Sequence, residues 1–275
     1  MDDKAERRIR MGLETLKGDR PQGFFTPYRY ADQVVAPTGY PELNRFFEAA
    51  EPAMTAVLNR IDRLGEKLAA LDGPPPRPRW GQTWFPRLDG AAAIAMVVEA
   101  QPKRIIEVGS GHSTRFMAEG VSWAGTHCEL TCIDPQPRAD LHGIGALRQR
   151  VLSEADLPDF AELEPGDIAF FDSSHILWPG TDVDMILNRI IPALKPGVLI
   201  HIHDILLPDP YPAEWEWRGY TEQNGVAPLM LGACEIVFSS HYAVTRMAAA
   251  DRPGVAGLPL ADGALETSLW LRRAA

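Results

Sequence analysis

RIIEVGSGHSTRFM, residues 104–117, decides the fold. Ile105, Ile106 and Val108 form a short β-branched run that reads as a buried strand. Gly109-Ser110-Gly111 breaks it. Ser113 or Thr114 is placed to cap a helix from Arg115 to about Val121. Strand, glycine turn and helix make the first unit of a nucleotide-binding α/β fold.

The rest of the chain extends this pattern in both directions. Upstream, an Ala-rich stretch predicts a helix over 90–100, with Asp89 as its N-cap. Downstream, Leu130 to Ile133 is a second strand ending at Asp134, 25 residues past Gly109. A third, weakly patterned strand covers Arg150 to Leu152. Glu164-Pro-Gly-Asp167 is a turn. The apolar run Ile168 to Phe171 is a fourth strand, ending in Asp172-Ser-Ser-His175. Thr181 caps a helix over 182–194, and Lys195-Pro-Gly197 stops it. Val198 to Ile202 is the fifth strand, ending in His203-Asp204. A helix follows from about Thr221 to Leu231. Cys234 to Ser239 and Thr267 to Leu271 are the last strands. Alternating strands and helices predict an α/β fold with a doubly wound, mostly parallel sheet.

The segment before this pattern has a different character. Leu43, Phe47, Ala50, Met54, Val57, Ile61, Leu64, Leu68 and Leu71 step by four and three, a heptad seam. Pro52 is expected to start a second helix rather than sit inside one. The seam serves either packing on its own domain or a homo-oligomer through residues 41–71. Residues 72–79, DGPPPRPR, read as a stiff linker. The expected domains are therefore 1–79, a helical and aromatic extension, and 80–275. Near the start, GFFTPYRY gathers Phe24, Phe25, Tyr28 and Tyr30, as anchors of a loop onto the core or as a lid over substrate.

Composition narrows the partners. The chain has 275 residues, enough for one large domain with an extension. A net charge of −10 disfavours nucleic acid. Cys128, Cys132 and Cys234 include one close pair with no second pair to complete a zinc site. The start, MDDKAERRIRMG, lacks the apolar core of a signal peptide, and no apolar run is long enough for a membrane span. The expectation is a soluble, cytoplasmic protein.

The glycine turn selects among cofactors. A dinucleotide site wants G-x-G-x-x-G, and Thr114 stands at the third glycine position. Glu107 at the strand end would repel a pyrophosphate and suit a cationic ligand. S-adenosylmethionine carries an ammonium and a sulfonium and no phosphate. Glu107-x-Gly109-x-Gly111 resembles motif I of the class I S-adenosylmethionine-dependent methyltransferases. Asp134, Asp172 and the Lys195-Pro-Gly197 turn follow in that family's order, over about residues 89–272. FFDSSH and LIHIHD resemble the bacterial small-molecule and sugar O-methyltransferases, a family-24-like subgroup. The resemblance implies a Rossmann-like, seven-stranded sheet whose last strands form an antiparallel hairpin. It implies a cofactor site of Glu107, Gly109, Ser110, Gly111, Ser113, Asp134, Glu154 and Asp172, with Asp134 on the ribose hydroxyls.

Asp172, His175, His203 and Asp204 all fall at carboxyl ends of strands, where doubly wound sheets bind ligands. Asp172 and Asp204 could hold Mg²⁺ or Mn²⁺, with His203 as a third ligand. Such an ion would lower the pKa of an acceptor hydroxyl. His175 or His203 could then take its proton. Catechol-type methyltransferases carry an Asp-Asn pair where His203-Asp204 stands, which leaves the metal open. Asp172-x-x-His175 is closer to the macrolide-sugar type. His112 is expected to shape the cofactor pocket and His201 to lie in the core. Trp215, Trp217 and Tyr220 could stack on a ring or sugar. The reading is methyl transfer to a small-molecule oxygen. Alternatives are an NAD(P)-dependent oxidoreductase, disfavoured by Glu107 and Thr114, and a non-catalytic cofactor-binding protein.

Overall fold

The computed structural model describes residues 3–17, 22–24, 26–71 and 73–275. Met1, Phe25 of the aromatic cluster and Asp72 of the linker lie outside the described residues. Helix α1 (Asp3–Lys17) comes first, followed by α2 (Asn44–Ala69) and α3 (Arg87–Ala100). Then come β1 (Arg104–Val108), α4 (His112–Ala124), β2 (Glu129–Ile133), β3 (Ala146–Arg148), α5 (Leu157–Ala161) and β4 (Ile168–Phe171). A broken helix follows, α6 (Asp182–Met185) and α7 (Ile191–Ala193) on either side of a π turn (Ile186–Ile190). β5 (Leu199–Ile202), α8 (Glu222–Val226), β6 (Cys234–Ser239), α9 (Ser240–Arg246) and β7 (Leu269–Arg273) complete the chain.

The seven strands lie in the order β3-β2-β1-β4-β5-β7-β6. β1 is central and runs parallel to β2 and β4, with Ile106 opposite Thr131 and Ala169. β5 continues the parallel set beside β4. β7 runs antiparallel to both β5 and β6, with a register shift at Ile236/Phe238. This is the expected mixed sheet with a terminal antiparallel pair. The order reverses beside β1, so the chain crosses from one half of the sheet to the other at the point where a ligand crevice opens.

Several boundaries differ from the sequence expectation, each for a local reason. α3 begins at Arg87, and Asp89 lies fully buried in its first turn instead of capping it. Its carboxylate accepts the amides of Thr267 (3.1 Å) and Ser268 (2.9 Å), tying α3 to the entry of β7. α4 begins at His112, so Ser113 and Thr114 are inside its first turn and Gly111 precedes it. The third strand is Ala146–Arg148, not Arg150 to Leu152. It pairs with Thr131 to Ile133.

The heptad seam is consumed within the chain. α2 is one continuous helix with Pro52 inside it, and Phe47, Met54, Val57, Ile61 and Leu68 are buried. It packs against α3 and β6. Arg252 grips Asp62 and Asn59 of α2 from the far side of the chain, and Tyr242 donates to Glu51 (2.9 Å). The seam therefore offers no free face for a coiled-coil dimer. Phe24, Tyr28 and Tyr30 are exposed, so they do not anchor a loop in the core; Phe24 stacks on Trp178 at 5.1 Å. Among the described residues no helix is long and apolar enough to cross a membrane.

Candidate active site

Glu107 is the last residue but one of β1, and it points beneath the glycine loop. It is fully buried. The Ser113 and Thr114 hydroxyls donate to it at 2.5 Å each, and the Cys132 thiol at 3.4 Å. Thr114 Oγ1 in turn accepts the amide of Gly111 (2.9 Å). Burial, outweighing these donors and aided by the Asp172 charge, pushes its carboxyl up to about 8. Glu107 thus braces the loop from below and is not on the wall that a cationic ligand would touch. Ser113 serves the same brace, although it also borders the crevice.

Above the loop a cavity of about 620 Å³ opens at the ends of β1, β2 and β4. That is within the range of small-molecule sites, about 300–1,000 Å³. Gly109, Ser110, Gly111, Asp134 and Asp172 are on its wall. Asp134 is held in place by the Ser110 amide (2.6 Å) and hydroxyl (3.1 Å) on one oxygen and the Gln136 amide (2.7 Å) on the other. Val151 and Leu152 supply an apolar wall. Glu154 is not there: it is exposed and pairs with Arg189 at 3.1 Å. The chain meets the crevice at Val151 and Leu152, just after β3, and has left it by Glu154. His112 lies on the wall, face to face with Trp84 at 5.5 Å. Burial, with Arg115 and Arg79 nearby, lowers its pKa to about 4, so it is a neutral ring.

A second cavity, about 540 Å³, meets the first. Trp84, Arg138 and Asp172 border both. Its far walls are Trp215, Trp217 and Tyr220, with the Arg218 guanidinium over the Trp215 ring at 4.0 Å. His203 and Asp204 form its floor. His203 Nε2 donates to the Trp84 carbonyl (2.9 Å), which fixes that loop over the junction. Its Nδ1 is buried without a partner among the described residues. Burial opposes charge on this ring, but Asp172, Asp204 and Asp89 raise its pKa on balance. Asp204 accepts from Thr267 Oγ1 (3.1 Å) and faces Arg218 at 3.5 Å. His201 is a core residue, bonded to Ser268 Oγ (2.8 Å) and stacked on Phe170 at 3.7 Å.

His175 is behind the floor and not on the cavity wall. Its Nε2 lies 3.2 Å from Asp172 Oδ1 and 3.6 Å from Asp204 Oδ2. Its Nδ1 lies 2.8 Å from Glu222 Oε2. An ionised carboxylate only accepts, so Nε2 carries its proton toward Asp172 and has no lone pair for a substrate. Burial works against the charged ring, yet the hydrogen bonds to Asp172 and Glu222 raise its pKa well above the usual value. The residue expected as general base thus has both ring nitrogens directed at carboxylates in this arrangement, and neither at the cavity. Among the described residues no group of three or more His, Cys, Asp or Glu side chains is arranged to hold a metal ion. Asp172 and Asp204 converge on a ring nitrogen, and His203 Nε2 is committed to Trp84, so this donor set does not fit the expected Mg²⁺ or Mn²⁺. Trp84, Arg138, Arg218 and Glu222 were not visible as site residues in the sequence, because no motif carries them.

Residues 106–205 match the model of a family described as a methyltransferase domain, family 24. Among solved structures the chain is similar to an S-adenosylhomocysteine-bound methyltransferase of Podospora anserina, at 15% identity and TM-score 0.42, over 92% of this chain and 100% of that one. It is similar to an O-methyltransferase of Bacillus cereus in complex with S-adenosylhomocysteine, at 12% and 0.42, over 79% and 90%. It is also similar to a branched-chain polyamine synthase of Thermus thermophilus, at 15% and 0.41, over 78% and 65%. Likeness at this level says nothing of the acceptor. No curated protein matches the chain. The family match, from β1 to just past β5, is thus to a methyltransferase domain, and it falls on the parallel core of this doubly wound, seven-stranded sheet.

Proposed function

We propose that the chain methylates a hydroxyl of a small aromatic or sugar-like acceptor held in the second cavity. The observation that carries this is the junction: two cavities of small-molecule size share Trp84, Arg138 and Asp172. S-adenosylmethionine, bound in the first, would supply an electrophilic methyl at that junction. Gly109 to Gly111 let backbone approach the ligand closely, Asp134 takes the ribose hydroxyls, and Val151 and Leu152 cover the adenine. Support for the acceptor class comes from the Trp215, Trp217 and Tyr220 walls, which suit a flat ring or a sugar face. Displacement at a methyl group needs mainly alignment and exclusion of water, which a walled junction provides. Asp204, on the floor and beside Arg218, accepts the hydrogen bond of the acceptor hydroxyl, orients its oxygen and takes its proton as the oxygen–methyl bond forms and the methyl–sulfur bond breaks.

Thermal melts and isothermal titration test the cofactor. S-adenosylhomocysteine should raise the melting temperature and NAD should not, because only a ligand of the native state stabilises it. Asp134→Ala should weaken S-adenosylhomocysteine by about 1–3 kcal/mol through lost charge-assisted hydrogen bonds. Stabilisation by NAD alone, or an Asp134→Ala variant that binds as the wild type does, would sink the assignment.

A further inference from the structure

Asp172 and Asp204 stand at the ends of adjacent strands β4 and β5 and face one small volume. Two carboxylates so placed repel each other in a poorly hydrated crevice. A divalent cation is one remedy. This chain carries another. The His175 ring lies between the two carboxylates, with Nε2 within 3.2 Å of one and 3.6 Å of the other. The ring is itself held from behind by Glu222 at 2.8 Å, a carboxylate that is fully buried. Tyr220 closes the third side, its ring 4.6 Å from that of His175.

The backbone is bent to achieve this. His175 has φ +60° and Asp204 φ +53°. Residues with side chains reach this left-handed region rarely, and such outliers concentrate where side-chain direction matters. The amides of Thr221 (3.0 Å) and Glu222 (3.2 Å) both donate to the His175 carbonyl, so the segment carrying Glu222 is fastened to the residue it supports. The strain, the buried carboxylate and the two-sided contact of Nε2 converge on one side chain.

We propose that His175 occupies the place of a divalent ion, its Nε2 hydrogen-bonding Asp172 and ion-pairing with Asp204, so that this methyltransferase site works without a bound metal. His175 is a positioning residue: it sets the two carboxylates that border the acceptor cavity and never touches the acceptor. It follows that the ring is what excludes a cation. Removing it leaves Asp172, Asp204 and Glu222 around a vacated volume, three hard oxygen donors of the kind that Mn²⁺ takes. This inference rests on the second cavity as acceptor site, but its test does not need an acceptor.

Mn²⁺ titration followed by electron paramagnetic resonance reads the site directly in the full chain. Wild type should bind no stoichiometric Mn²⁺. His175→Gly, which suits φ +60° and frees the volume, should bind one Mn²⁺ per chain at least tenfold tighter than wild type. Adding Asp204→Asn to it should abolish that binding. His175→Asn, which also tolerates the left-handed backbone, provides a second variant should the glycine chain fold poorly. Stoichiometric Mn²⁺ on wild type, lost in Asp204→Asn, would overturn the proposal. So would folded His175 variants that bind Mn²⁺ no better than wild type. Failure of the methyltransferase reading would show separately, as wild type that does not bind S-adenosylhomocysteine.

Discussion

Gly109→Ala should abolish S-adenosylhomocysteine binding and destabilise the chain by about 4 kcal/mol or more, the range reserved for severe backbone conflicts. Gly109 sits at φ +78°. A Cβ there would lie 1.7 Å from the Asp172 carbonyl oxygen and 2.7 Å from its carbon. Neither side can withdraw cheaply. The Gly109 amide donates to Ile133 O (3.0 Å), and the Asp172 amide donates to Val108 O (2.9 Å), so both ends are fixed by the sheet itself. The same atoms form the floor of the cofactor crevice and position Asp172 at the junction of the two cavities. Gly125→Ala is the control. It has a similar φ of +66° with nothing within 4 Å, so it should cost only the left-handed strain of about 1–2 kcal/mol. Urea unfolding of both variants, with a cofactor titration of each, separates clash from strain. A Gly109→Ala chain as stable as Gly125→Ala would show that β1 and β4 do not pass this closely.

The sequence was most legible where one local signal settled the matter. Ile168–Phe171 and Cys234–Ser239 are apolar runs closed by turn or polar residues, and their bounds were read to the residue. β3 was misplaced because three half-exposed residues carry no period. Glu154, two residues past the crevice wall at Leu152, turns instead to Arg189, a partner that no local signal announces. Asp89 looked like a cap because an acid before an apolar helix usually is one. Its true partners, the amides of Thr267 and Ser268, lie far along the chain, and no local rule reports them. The heptad seam gave the apolar face of α2 correctly, but periodicity does not say what covers a face; α3 and β6 cover it. His175 is the sharpest case. Asp172-x-x-His175 put the right residue at the right strand end, and its role turned on Glu222, which topology alone brings to 2.8 Å. Trp84 and Arg138 reach the junction in the same way, from loops without motif.

Glu107 yields the second large effect, a loss of stability as pH rises. Its carboxyl lies at about 8 in the folded chain, against an ordinary value near 4.5. Between those values the folded state holds a proton that the unfolded chain has released. Stability from this group is therefore full below pH 4.5, declines as pH rises toward 8, and is gone above it. A shift of this size corresponds to a few kcal/mol. The neighbours that face the carboxyl are the Ser113 and Thr114 hydroxyls, the Cys132 thiol and the Asp172 charge. None of the first three titrates below pH 8 in this setting, since burial, and then the Glu107 charge, push Cys132 upward. Glu107→Gln keeps a carbonyl to accept one hydroxyl and carries no charge at any pH. Melting temperatures from pH 5.5 to 8.5 should fall more steeply with pH in wild type than in Glu107→Gln, where the remaining slope belongs to groups such as His175 and His203 whose pKa values are also raised, and the variant should be the more stable of the two at pH 8.5. Parallel slopes in the two chains would mean that Glu107 is ionised beneath the loop throughout, with the Ser113 and Thr114 hydroxyls sufficient to hold its charge.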